Sequence, residues 1–149
     1  MTDDVTQLLK KAYNDELETV MNYLANSVVL DGVSAEEVKD SLRTDIQEEL
    51  NHAQMLGERL RQLESRPPGS YEFQANQESL QPPEDTTDVL SVIEGVVEAE
   101  EGAITTYRSL IHAARDEDDP VTEDLAVTIL ADEEAHRTDF VGFRKEFQS

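Results

Sequence analysis

The chain contains no cysteine and no tryptophan. Without cysteine there is no disulfide scaffold, no thiolate catalysis, and no Cys-ligated zinc or iron. Basic residues are also scarce. Twelve Lys and Arg face 34 Asp and Glu, a formal charge of −22, and none lies between Pro67 and Tyr107. Nucleic acid and anionic membrane are therefore excluded as partners. No apolar run approaches the roughly 20 residues of a membrane span. The acidic start, Met1-Thr2-Asp3-Asp4, lacks the basic-then-apolar pattern of a signal peptide. A cytoplasmic protein is the expectation. Self-repulsion of this size is relieved by salt, so a salt-rich, halophilic cytoplasm fits the composition. Aromatics make up 5% of the chain, glycines number six, and alternating β-branched runs are missing, so a sheet is not expected.

What is present is helical periodicity. At 149 residues the chain reads as one domain, 1–149. The spacing predicts helices near 3–30, 35–64, 87–115 and 120–147. Thr2 is the expected first cap, with Asp3 and Asp4 in the first turn. Asp31-Gly32 ends that helix, and Ser34 to Glu37 reads as a capping box for the second. Thr86 or Thr87 is expected to cap the third, and Asp119-Pro120 starts the fourth. Residues 65–86 hold four prolines and no sustained period. They read as a crossover spanning the bundle, pinned by Tyr71, Phe73 and Leu80, which makes helix three parallel to helix two. A second apolar row on helix one, Leu17, Met21, Leu24 and Val28, lies off the core stripe and predicts a homo-oligomer.

One short phrase occurs twice: Glu49-Leu50-Asn51-His52 and Glu133-Glu134-Ala135-His136. Residues i and i+3 share a helix face, so each phrase presents a carboxylate and an imidazole together. Glu16 lies 33 residues before Glu49, and Glu100 lies 33 before Glu133. Tyr23 and Tyr107 each follow that upstream Glu by seven. The pairs 16/100, 23/107, 49/133, 52/136 and Leu56/Phe140 all recur at a shift of 84, which reads as a duplicated helix hairpin. Glu94, Glu98 and Glu101 compete with Glu100, which the 33-residue spacing and Tyr107 single out. Each predicted helix thus carries a Glu in its apolar stripe, at matching distances from the hairpin turns. Four buried carboxylates would repel one another and protonate unless divalent cations balance them. An oxygen-rich set with two nitrogens and no sulfur favours iron or manganese over structural zinc. Tyr23 and Tyr107 are either core tyrosines or hydrogen-bond partners of ligands. Asp45 and Asp132 either orient a histidine or are solvated. His112 has no Glu three residues before it and reads as a surface or subunit-contact histidine.

This pattern resembles the ferritin-like di-iron carboxylate superfamily, in particular its bacterioferritin and rubrerythrin-type branch. The likeness spans roughly residues 5 to 145, and Asp15-Glu16-Leu17 with Asn22-Tyr23 is similar to the first bacterioferritin helix. It implies an all-α, ferritin-like four-helix bundle with a long crossover between helices two and three. It further implies two iron ions bridged by Glu49 and Glu133, one completed by Glu16 and His52, the other by Glu100 and His136. These six residues are at once the implied catalytic and metal-ligating set. The implied activity is oxidation of Fe(II) by O2 or peroxide, in iron handling or oxidative-stress protection. The alternatives are a rubrerythrin- or manganese-catalase-like peroxide-consuming enzyme and a non-catalytic metal-binding bundle. Leu50 occupies the place of the bacterioferritin haem methionine, so no haem is expected. Neither the cysteine-ligated iron domain of rubrerythrin nor the short fifth helix of cage-forming ferritins is expected.

Overall fold

The computed structural model describes residues 4–148. Four helices carry the chain: α1 (Val5–Val29), α2 (Glu36–Gln62), α3 (Val89–Asp116) and α4 (Pro120–Gln148). Between them lie only short 3-10 turns, and no strand occurs among the described residues. All four helices end within two residues of the limits that periodicity predicts. No described helix is long and apolar enough to cross a membrane.

Hydrogen bonds at the helix ends give their directions. Asp31 N donates to Thr86 O at 2.8 Å, so the end of α1 meets the start of α3. At the opposite pole Val5 N donates to Glu117 Oε2 at 2.9 Å. There the end of α2 also meets the start of α4, where Arg59 bonds Asp119 at 2.9 Å. Hence α1 is antiparallel to both α2 and α3, and α2 runs parallel to α3, as a full-length crossover requires.

The caps differ from the sequence expectation in three places. Thr2 and Asp3 lie outside the described residues. Asp4 forms a capping box with Gln7 and sits before the helix, not inside its first turn. Ser34 makes no capping box. Val33–Ala35 forms a 3-10 turn, and α2 begins from Ala35 without a side-chain cap. Neither Thr86 nor Thr87 caps α3, because their hydroxyls are bound to Asp31 and Asp85. Asp88 takes that place, accepting from Ser91 N. Asp119 does cap α4, accepting from Thr122 N at 3.1 Å.

The crossover is tied to α1 by a polar ladder at four-residue spacing. Asn14 exchanges two hydrogen bonds with the Gln74 backbone. Buried Glu18 accepts from Asn76 N and Gln77 N, each at 2.9 Å. Asn22 donates to the Gln77 side chain and Asn26 to Leu80 O. These are one face of α1, since i and i+4 are neighbours on a helix. Leu80 is buried and Phe73 half-buried, but Tyr71 is fully exposed and pins nothing. The crossover passes so close over α3 that a Cβ on Gly95 would lie 2.3 Å from Ser79 O.

The apolar core is split in two. One cluster, with Leu9, Leu56, Leu60, Tyr107 and Ile129, fills the pole of the α3–α4 turn. The other, with Tyr23, Leu42, Ile93, Val96 and Phe140, fills the pole of the α1–α2 turn. Each fully buried large side chain contributes about 1.5–3 kcal/mol. Between the clusters lies a layer of buried polar side chains.

Candidate metal centre

Glu16, Glu49, His52, Glu100, Glu133 and His136 make up that layer, and none is more than 4% exposed. The rivals on α3, Glu94, Glu98 and Glu101, are exposed, so the register that singles out Glu100 is the one the helix adopts. Ligand-capable atoms of Glu16, Glu49, His52 and Glu133 lie within 4.8 Å of one another. So do those of Glu49, Glu100, Glu133 and His136. The two sets of four share Glu49 and Glu133.

Both imidazoles turn Nδ1 inward. His52 Nδ1 lies 3.2 Å from Glu16 Oε2 and 3.2 Å from Glu133 Oε1. His136 Nδ1 lies 3.2 Å from Glu49 Oε1. The outer nitrogens are held crosswise. His52 Nε2 bonds Asp132 at 2.8 Å, and His136 Nε2 bonds Glu48 at 2.6 Å. In each phrase, therefore, the acid just before the inner Glu holds the histidine of the other phrase. Asp132 thus takes the orienting option left open for it. Glu48 escaped the sequence reading, although 48 and 132 obey the same shift of 84. Among 34 acids, that shift alone does not stand out.

The tyrosines are exchanged between hairpins as well. Tyr23 of α1 donates to Glu100 of α3, and Tyr107 of α3 donates to Glu16 of α1 at 3.0 Å. Both hydroxyls are fixed on carboxylates of the cluster. His112 is exposed and makes no part of it.

Titration follows from burial and crowding. Burial lifts Glu49 and Glu100 well above the usual carboxylate range, and neighbouring carboxylates add to it. Glu16 is raised by burial and by Glu133. Glu133 moves the other way. Burial would raise it, but the close approach of His52, and of the Glu100 and Glu49 carboxyls, brings it down to about 2. Burial likewise opposes the charge of His52, yet the adjacent Glu133 and Glu16 carboxylates hold it at about 11. His136 is raised by Asp45 and Glu48 against the pull of burial. Burial, with Glu100 and Glu16 alongside, keeps Tyr23 and Tyr107 protonated well beyond the usual range.

The donor set fits a pair of divalent metals. Both oxygens of Glu49, Oε2 of Glu100, Oε1 of Glu133 and Nδ1 of His136 are buried without a hydrogen-bond partner. Unpaired buried oxygens are rare because each costs about 1–3 kcal/mol. Four such oxygens and one imidazole nitrogen lie together in this layer, and they are the kind of donors that a metal pair would take. Two divalent cations also balance four carboxylates.

The ferritin-like domain family model matches residues 6–148. The chain belongs to the ferritin-like domain family. Among solved structures, a ferritin-like diiron-carboxylate protein from Bacillus anthracis aligns at TM-score 0.82 and 20% identity. That alignment covers 97% of this chain and 99% of that one. The bacterioferritin of Desulfovibrio desulfuricans aligns at 0.83 and 22%, over 97% and 80% of the two chains. A dodecameric thioferritin, the bacterioferritin-related protein of Bacteroides fragilis, aligns at 0.80 and 22%, over 97% and 86%. No curated protein matches the sequence significantly. Within this ferritin-like bundle, the pseudo-twofold places the site at mid-length, where all four helices contribute one Glu each.

Proposed function

We propose that this ferritin-like chain binds two metal ions and oxidises Fe(II) with O2 or peroxide. The observation that carries the reading is the pair of four-residue sets sharing Glu49 and Glu133, with their inward oxygens unpaired. Glu49 and Glu133 would bridge, Glu16 and His52 would complete one position, and Glu100 and His136 the other. Iron is the proposed occupant, as in the diiron sites named for the Bacillus and Desulfovibrio proteins. Manganese suits the same donors.

Two iron ions held by these residues would supply the two electrons that one oxidant molecule takes up. The chain's part is to hold and insulate. Asp132 and Glu48 hold Nε2 of His52 and His136, which keeps each Nδ1 turned inward, where a metal would take its lone pair in exchange for any proton there. Tyr23 fixes one oxygen of Glu100 and leaves its Oε2 without a partner, and Tyr107 fixes Oε1 of Glu16, whose Oε2 faces His52 Nδ1. The apolar clusters at both poles keep bulk water out. Substrate Fe(II) has a way in beneath the crossover, where a cleft of about 280 Å³ reaches Glu16 between α1 and α3.

Homo-oligomerisation belongs to the same proposal. Met21 is 60% exposed, Leu24 54% and Val28 74% on α1, while Leu17 of the same row is half-buried and lines a groove with Pro68 and Phe73 of the crossover. This exposed apolar row is where a second copy would approach. The dodecameric relative is consistent with assembly. Light scattering in molar salt should give at least a dimer.

The deciding experiment adds Fe(II) anaerobically, then O2 or peroxide. Wild type should bind two ions per chain and oxidise them rapidly. Glu49→Ala or Glu133→Ala should abolish paired binding, whereas Glu101→Ala should leave it intact. Loss of iron from Glu101→Ala with a silent Glu100→Ala would refute the assignment.

A further inference from the structure

The cleft beneath the crossover has unlike walls. Glu16 and Thr19 line it from α1, Ala99, Gly102 and Ala103 from α3, and Gln77 from the crossover. Glu16 is the one member of the six-residue centre among its lining residues, and it is 2% exposed. Exposed Glu78 and Glu98 also line the cleft, and its one lysine, Lys11, is held by Asp15 at 2.7 Å. The cleft therefore favours a cation.

Two glycines keep the α3 wall bare, for different reasons. Gly95 is demanded by packing, because a Cβ there would press on Ser79 O. Gly102 is not, since a Cβ built on it has no atom within 4 Å. Its backbone does not require glycine either, because Gly32 is the only described glycine with a positive φ. Glycine weakens a helix interior relative to alanine, and Gly102 lies well inside α3. What its missing side chain provides is open width.

The crossover wall is fastened at Gln77. Its main-chain N–H donates to Glu18 at 2.9 Å. Its side chain spans two residues of α1: Nε2 donates to Thr19 Oγ1 at 2.7 Å, and Oε1 accepts from Asn22 at 3.0 Å. Thr19 lies one helix turn from Glu16 on the same face, so the Gln77 amide sits beside the inner end of the cleft. Both side-chain bonds join neutral groups, the weaker kind of hydrogen bond. The amide can swing off α1 while Glu18 keeps the main chain in place.

We propose that Gln77 and Gly102 set the rate at which metal ions reach the centre. The Gln77 amide closes the cleft at Thr19, and bare Gly102 leaves the width through which an ion passes when the amide swings away. The amide and hydroxyl oxygens beside that path suit a divalent cation shedding water. This control of access rests on the two-metal reading given above.

The test uses Co(II) as probe, whose visible absorption reports its ligands, on the full chain without O2 in molar KCl. Stopped-flow mixing reads uptake, a chelator jump reads release, and titration gives Kd and ions per chain. A gate changes both rates by the same factor and leaves Kd alone. Gly102→Leu, which grows into open space, should slow uptake and release roughly tenfold each, with two ions per chain and Kd unchanged. Gln77→Ala should speed both severalfold, and it answers the question if Gly102→Leu does not fold. Wild-type rates in both variants overturn the proposal, as does a weakened Kd with unchanged uptake. A centre that fills normally with unmoved rates refutes the gate alone. A wild type that takes up no Co(II) at the centre refutes the function proposed above and the gate with it.

Discussion

Replacing Glu49 with leucine should stabilise the metal-free protein while removing its capacity for paired metals. Both Glu49 oxygens are buried and unpaired, at 1% residue exposure. Each such atom costs about 1–3 kcal/mol relative to a satisfied or apolar replacement. Leucine is close in volume and leaves little cavity. Against the gain stands the 3.2 Å approach of Glu49 Oε1 to His136 Nδ1, which the variant loses. A net gain of about 1–3 kcal/mol is expected, which for a chain of this size raises Tm by roughly 2–12 °C. The sign with pH is fixed by the direction of the shift. Glu49 titrates well above its ordinary value in the folded state, so folding competes with its ionisation. That cost is absent below the unfolded carboxylate pKa and grows as pH rises above it. The variant's advantage should therefore be largest near neutrality and shrink toward about pH 4.

The assay is thermal unfolding of both proteins, chelated and then with saturating Zn(II), which binds without redox chemistry. A site filled at a hundred times its Kd adds about 2.7 kcal/mol. Zinc should therefore raise wild type past the variant and leave the variant nearly unmoved. A chelated Glu49→Leu protein less stable than wild type across the neutral range would refute the reasoning. It would mean that the carboxyl is already satisfied without metal.

Asp132→Asn and Glu48→Gln should each lower metal affinity about 10–100-fold, read by competition titration, because the histidines lose their anchoring carboxylates. Asp119→Ala should cost about 1–2 kcal/mol in chemical denaturation, since it removes the α4 cap and the Arg59 pair. Thr122 and Arg59 depress Asp119 below its ordinary value against the effect of burial, so that deficit is present above about pH 4 and vanishes as pH falls through the depressed pKa. Gly95→Ala should destabilise by about 1–3 kcal/mol in the same assay, because its Cβ meets the Ser79 carbonyl at 2.3 Å. Raising KCl from low to molar concentration should raise Tm, as counterions screen a charge of −22; an unchanged Tm would remove the halophile argument.

The sequence by itself determined the helices and the six inner residues. Periods of three and four residues mark the buried face of each helix, and the shift of 84 picks the same position on each. Local spacing carries that much, because i and i+3 share a face whatever the helix packs against. It even resolved Glu100 from Glu98 and Glu101, since one residue of slip turns a side chain about 100° around the axis. The tertiary structure decided what depends on two helices at once. Glu48 holds His136 and Asp132 holds His52 only because α2 and α4 lie antiparallel across the site. Glu18 is buried only because the crossover brings two backbone amides to it, and an acid at that spacing otherwise reads as solvated. Thr87 looked like a cap until Asp85 took its hydroxyl.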